Sequence, residues 1–62
     1  MNKEQLRAWR KRCNMTQEEA CKALGVSRSN YQNFERGTNH RKEAVTIPQP
    51  VALACELIES KL

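Results

Sequence analysis

The length and charge of the chain limit what it can do. Its 62 residues suffice for one domain that buries only about 60% of the surface of the unfolded chain, so an enclosed catalytic or small-molecule cleft is not expected. Residues 1–42 hold ten of the eleven Lys and Arg but four of the seven Asp and Glu, giving that part a net charge of +6. Residues 43–62 have a net charge of −2. This distribution favours a polyanionic partner, although a basic surface without a partner would have the same charge.

The cysteines and the single histidine do not have the spacing of a metal site. Structural zinc ligands usually come in closely spaced pairs, whereas Cys13, Cys21, Cys55 and His40 are far apart. Each cysteine occupies an apolar position of a helical pattern, so we expect buried free thiols in a reducing cytoplasm, with no metal and no cofactor. His40 lies beside no Ser, Asp or second His, which gives no catalytic set. No apolar run approaches ~18 residues, so neither a signal peptide nor a membrane span is predicted.

Capping signals predict where the first two helices begin. Asn2 can cap a helix over residues 3–13, and Thr16 with Glu19 forms the capping box of a second helix. Gly25 supplies a residue able to turn left-handed where that second helix ends. Both helices have an apolar stripe at helical spacing, formed by Leu6, Trp9 and Cys13 in the first and by Ala20, Ala23 and Leu24 in the second.

The third predicted helix begins after Ser27 and ends at Gly37, with Tyr31 and Phe34 facing inward. At about 100° per residue, the opposite face then carries Ser29, Gln32, Asn33 and Arg36, with Arg28 in the first turn. Residues 16–36 therefore read as two short helices joined by a tight turn, the helix-turn-helix unit that binds DNA. A polar face alone is also typical of any solvated surface helix.

The C-terminal part is predicted to contain a loop and one more helix. Residues 38–47 form a polar loop in which residues 44–47 could be extended, because Pro48 disfavours helix before it. The last helix is predicted over residues 50–61, since proline is favoured in a first turn. The fold class is thus all-α, with four to five helices in one domain spanning residues 1–62.

Residues 15–37, MTQEEACKALGVSRSNYQNFERG, resemble the Cro/lambda-repressor (XRE-like) helix-turn-helix family. The resemblance implies a lambda-repressor-like fold and a sequence-specific regulator of transcription that binds double-stranded DNA. Two positions depart from the family pattern. Tyr31 replaces a branched aliphatic residue, and Cys21 replaces the usual alanine.

The resemblance also implies roles for individual residues. Arg10 and Glu35 match a pair that joins the first helix to the recognition helix, although they could be two unrelated surface charges. The positions that match base-reading residues are Arg28, Ser29, Gln32 and Asn33. The positions expected to hold the phosphate backbone are Gln17, Arg36, Thr38, Asn39, His40, Arg41 and Lys42.

The last predicted helix has two apolar strips. Leu53 and Leu57 lie on a different side from the main stripe, and we expect them at a homodimer interface. A wider buried face within one chain is the alternative. Residues 47–59 resemble phage sequences, and together with the small size of the chain they make it similar to anti-CRISPR-associated repressors, which control their own operons. The main stripe consists of Val51, Ala54, Cys55, Ile58 and Leu62.

The favoured function is a homodimeric repressor that binds an inverted-repeat operator in the cytoplasm of a bacterial or phage-infected cell. A small protein-interaction module, antitoxin-like or an adaptor, would use the same fold without specific DNA binding. Affinity for one operator over random DNA distinguishes the two. No membrane partner, small-molecule substrate or enzymatic reaction is expected.

Overall fold

The computed structural model describes residues 1–62 and contains four helices and no strand. The helices are α1 (Lys3–Arg12), α2 (Gln17–Leu24), α3 (Arg28–Arg36) and α4 (Gln49–Ser60). The predicted all-α fold is confirmed. No helix of the protein combines the length and the apolar character needed to cross a bilayer.

The helix boundaries follow the capping signals. Asn2 Oδ1 accepts a hydrogen bond of 2.8 Å from the backbone N–H of Gln5, whose side chain accepts one in return from Asn2. Thr16 and Glu19 form the same reciprocal pair at the start of α2. These bonds satisfy donors that the first turn of a helix leaves free, which explains why both helices begin where they do.

The segment between α3 and α4 is a folded loop in which residues 44–47 do not form a strand. A single antiparallel bridge joins Thr38 to Ala44, and the N–H of Val45 donates to the carbonyl of Gly37 at 3.0 Å. The helix α4 begins at Gln49, one residue before the predicted start, and Pro48 precedes it without a side-chain cap.

The core lies where α1, α2, α3 and α4 meet. The indole N–H of Trp9 donates to the backbone carbonyl of Cys55 at 2.9 Å, so that bond ties α1 to α4. The buried apolar residues are Leu6, Trp9, Ala20, Cys21, Tyr31, Phe34 and Cys55.

Three stripe positions differ from the sequence expectation. Ala23 is exposed, because the core side of α2 is centred between Ala20 and Cys21 and Ala23 lies to one side of it. Leu62 is exposed because it lies beyond the end of α4. Cys13 is half-buried and packs against the edge of the core.

The three cysteines are free thiols, of which Cys21 and Cys55 are buried. Burial raises the pKa of Cys55 to about 11, so its thiol stays protonated at neutral pH. No group of three or more His, Cys, Asp or Glu side chains is placed to hold a metal ion.

Candidate nucleic-acid interface

The turn between α2 and α3 fixes how the two helices cross. Gly25 has φ 71° and ψ 28°, a left-handed conformation that costs glycine little and other residues more. Its N–H donates to Lys22, and the N–H of Val26 donates to Cys21, which closes the end of α2. The small residues Ala20 and Cys21 are both buried, so α2 can approach α3 closely.

The outer face of α3 is polar, as expected, but its members are not equally accessible. Ser27 caps the helix by accepting the N–H of Asn30 at 3.1 Å. Arg28, Ser29 and Arg36 are exposed, whereas Gln32 and Asn33 are half-buried. The first turn of α3 is therefore the most open part of the face.

Arg36 binds back onto its own helix end. Its Nη2 donates to Oδ1 of Asn33, and its Nε donates to the carbonyl of Thr38 at 3.0 Å. Asn33 needs both its amide oxygen and its amide nitrogen to pair with adenine. The oxygen has a second lone pair, so Arg36 can hold the Asn33 side chain in place while Oδ1 also accepts from adenine N6.

Glu35 is the buried acceptor at the centre of the site, with 3% of its surface exposed. Arg10 donates to it twice, from Nε to Oε2 at 2.6 Å and from Nη2 to Oε1 at 3.3 Å. Gln17 Nε2 donates to Oε1 at 3.1 Å, and the Tyr31 hydroxyl donates to Oε2. One carboxylate thereby joins α1, the first residue of α2 and the last turn of α3.

These bonds decide the ionisation of the network. Burial alone would raise the pKa of Glu35, but the hydrogen bonds from Arg10, Tyr31 and Gln17 together hold it below its ordinary value. Burial, with the adjacent carboxylate, raises the pKa of Tyr31, so the phenol remains a donor. The network is thus a carboxylate surrounded by donors at neutral pH.

Sequence reasoning paired Arg10 with Glu35 but missed three other partners of Glu35. Tyr31 and Glu35 are four residues apart on one helix face, a spacing that could have indicated their contact. Arg7 precedes Arg10 by three residues on α1, and its Nη2 donates to the backbone carbonyl of Glu35 at 3.2 Å. Gln17, expected at a phosphate, uses its amide N–H for Glu35.

The loop after α3 is shaped by Asn39. Its Oδ1 accepts from the N–H of Arg41 at 2.8 Å and from the N–H of Glu43 at 3.1 Å, while its Nδ2 donates to the Glu43 carboxylate. Lys42 adopts a positive φ of 63°. His40, Arg41 and Lys42 are exposed at the tip, and Thr38 and Asn39 are half-buried at its base.

Leu53 and Leu57 lie on α4, away from the core. They are 54% and 58% exposed, and they form adjacent positions on one side of the helix.

The sequence of residues 4–47 matches the model of a protein family described as a helix-turn-helix domain. The chain belongs to the helix-turn-helix domain family. The match covers more than two thirds of the chain and includes all but the first residue of α1, the helices α2 and α3, and most of the following loop, but not α4. The resemblance drawn from residues 15–37 is therefore confirmed as far as this domain family, whose members are DNA-binding modules and not typically enzymes. No curated protein and no solved structure matches the chain.

Proposed function

We propose that this helix-turn-helix domain is a sequence-specific regulator that binds double-stranded DNA by inserting α3 into the major groove. The observation that carries the proposal is the exposed polar first turn of α3 on a helix braced by α2 across the Gly25 turn. In helix-turn-helix proteins, N-terminal residues of the second helix contact base edges. The open first turn of α3 therefore belongs at the groove floor.

The proposed base contacts come from this face. The guanidinium of Arg28 suits the O6 and N7 acceptors of guanine, and the amides of Gln32 and Asn33 suit adenine. Ser29 can donate to or accept from either base of a pair. Arg28 and Ser29 are the more accessible of the four.

The proposed phosphate contacts lie at the start of α2, at the end of α3 and on the loop that follows it. Arg41, Lys42 and His40 lie exposed on the loop, where they can follow a backbone without reading its sequence. Gln17 lies at the start of α2, next to the positive end of the helix dipole. The remaining members of the proposed set are Arg36, Thr38 and Asn39.

A homodimer is part of the proposal. One recognition helix covers too few base pairs to distinguish an operator among genomic competitors, and proteins of this type solve this with two half-sites about one helical turn apart. The exposed pair Leu53 and Leu57 supplies an apolar strip that a second copy would cover. We propose an inverted-repeat operator on this basis.

Repression and autoregulation are the finer part of the proposal. They rest on the resemblance of residues 15–37 to Cro/lambda-repressor proteins and of residues 47–59 to anti-CRISPR-associated repressors. A regulator of this kind acts where the DNA is, in the cytoplasm of a bacterial or phage-infected cell. The same exposed leucines would also serve an antitoxin-like or adaptor module that binds another protein.

Selection of bound sites from a random duplex pool tests the function. The expected result is one enriched half-site that recurs as an inverted repeat with fixed spacing, and autoregulation further requires that site beside the protein's own gene. A pool that binds without enrichment would contradict sequence-specific recognition and favour the interaction module.

A further inference from the structure

A polar cleft lies between α1, α2 and α3. It has a volume of about 410 Å³ and has no hydrophobic residue in its lining. Two lining residues, Gln32 and Arg36, belong to the outer face of α3, so the cleft adjoins the surface proposed to face DNA. The lining residues are Arg7, Arg10, Gln17, Gln32, Glu35 and Arg36.

The positive charge in this cleft is not fully matched. Glu35 is the only carboxylate in the lining, and its oxygens accept hydrogen bonds from Arg10, Gln17 and Tyr31. Arg7 Nε is 3.9 Å from Glu35 Oε1, outside hydrogen-bond distance. The cleft therefore holds more guanidinium charge than its carboxylate neutralises.

Arg7 is held in place while most of its donors stay unused. Its one hydrogen bond to the protein runs from Nη2 to the carbonyl of Glu35 at 3.2 Å, although a guanidinium has five N–H donors. The side chain is half exposed, at 49%. A planar guanidinium with free donors on a fixed stem suits two-point contact with a phosphate.

We propose that this cleft binds one DNA backbone phosphate and that Arg7, on α1, is the residue that contacts it. The inference rests on the proposed function, because the phosphate arrives only when α3 enters the groove. Gln17 and Arg36 border the same cleft, so the contact would lie beside α3. Arg7 thereby fixes the position of the domain on the duplex without reading a base.

Salt dependence of binding to a random-sequence duplex tests the proposal. The slope of log affinity against log salt concentration is negative, and Arg7→Gln should make it shallower by about one, because one fewer counterion is released. Lys22→Gln removes the same charge from an exposed position of α2 outside the cleft and should leave the slope unchanged. Arg7→Lys should restore most of the slope but less of the affinity, since a lysine makes a single-point contact.

Thermal melting of each variant shows whether it is folded under the binding conditions. A slope in folded Arg7→Gln equal to those of the wild type and Lys22→Gln would overturn the proposal. Wild-type protein that binds no duplex would overturn the proposed function itself. A site for free anions would show a different pattern. Arg7→Gln would then bind duplex as the wild type does, but inorganic phosphate at matched ionic strength would no longer raise its melting temperature. This result too would overturn the DNA assignment.

Discussion

Glu35 is a charged residue inside a protein that has a small core. A buried carboxylate is costly unless donors surround it, and here Arg10, Gln17 and Tyr31 do so. Removing one of these donors should therefore destabilise the fold by more than the net contribution of its hydrogen bond, because the Glu35 carboxylate then stays buried with a partner missing. The residue also sets the orientation of Gln17, which links the core to the proposed DNA surface.

Two ion pairs of similar geometry allow the effect of burial to be measured. Arg10 and Glu35 are largely buried, whereas Arg12 and Glu59 form a two-point pair at the surface. A double-mutant cycle with glutamine at Arg10 and Glu35 should show a coupling of about 1–3 kcal/mol in the free energy of unfolding. The same cycle at Arg12 and Glu59 should show much weaker coupling, because water and salt screen exposed pairs. Equal coupling in the two cycles would contradict the role given to burial.

The lowered pKa of Glu35 predicts an acid-sensitive fold. Its stabilising contribution is fully present above the ordinary pKa of 4.5 and is lost as the pH falls through the lower pKa of the folded state. Glu35→Gln should therefore be less stable than the wild type at neutral pH and should lose less stability on acidification. Denaturant unfolding between pH 7 and pH 3 measures both effects, with Glu56→Gln, at an exposed position of α4, as the control. If the free energy of unfolding of the wild type and of Glu35→Gln changed in parallel with pH, Glu35 would not be the group whose ionisation stabilises the fold.

Base recognition is predicted to depend on Arg28 more directly than on Asn33. Arg28→Ala should weaken the free energy of binding to the selected operator by about 1–3 kcal/mol and relax the preference at one base pair. Asn33→Ala should cost less binding free energy, because Asn33 is half-buried whereas Arg28 is exposed. Site selection with each variant gives the base profile, and Asn30→Ala, at the side of α3, is the control. Unchanged profiles for both Arg28→Ala and Asn33→Ala would remove α3 from the reading role.

At the scale of the elements, local signals predicted the helices well because they act within a few residues. Asn2, Thr16 and Ser27 each bind a backbone N–H three positions on, so the pattern and its cause lie in the same short segment. The bonds of Glu35 to Arg10 and Gln17 instead depend on how separate helices pack, which spacing alone does not reveal. The exposure of Ala23, which was expected in the apolar stripe, has the same origin.

The Gly25 turn gives a prediction for the α2–α3 unit. A Cβ at Gly25 would meet no atom within 4 Å, so Gly25→Ala should cost only the strain of a left-handed alanine, about 1–2 kcal/mol. Gly25→Asn should cost less, because asparagine tolerates this conformation. Thermal unfolding of the two variants measures the difference. If Gly25→Ala were more stable than Gly25→Asn, crowding rather than backbone conformation would control this turn.

At the scale of the whole molecule, α4 exposes part of its apolar surface to solvent. Its one fully buried residue is Cys55, while Leu53 and Leu57 face solvent. The family match also ends before α4, so this helix lies outside the part shared with the domain family. These features agree with a role for α4 in association, which would also add buried surface to a domain of marginal size.

The dimer proposal predicts distinct outcomes for two leucines. Leu57→Glu should sediment as a monomer and lose tight operator binding while keeping its helical content, because Leu57 is not part of the core. Leu62→Glu is the matched control, since Leu62 is 79% exposed beyond the end of α4 and should stay dimeric. A Leu57→Glu protein that remains dimeric would place the interface elsewhere, and one that unfolds would support the wider core.

The hydrogen bond between Trp9 and the backbone of Cys55 has a consequence for tryptophan fluorescence. Trp9 is the only tryptophan of the chain, it is 1% exposed, and its indole N–H is bonded to the backbone of α4. Its fluorescence should therefore report the docking of α4 onto α1, with emission that shifts to the red when the indole meets water. A chain that loses its partner but keeps the emission of a buried indole would show that each protomer folds before it pairs. A red shift that accompanies dissociation would show instead that folding and pairing are one event.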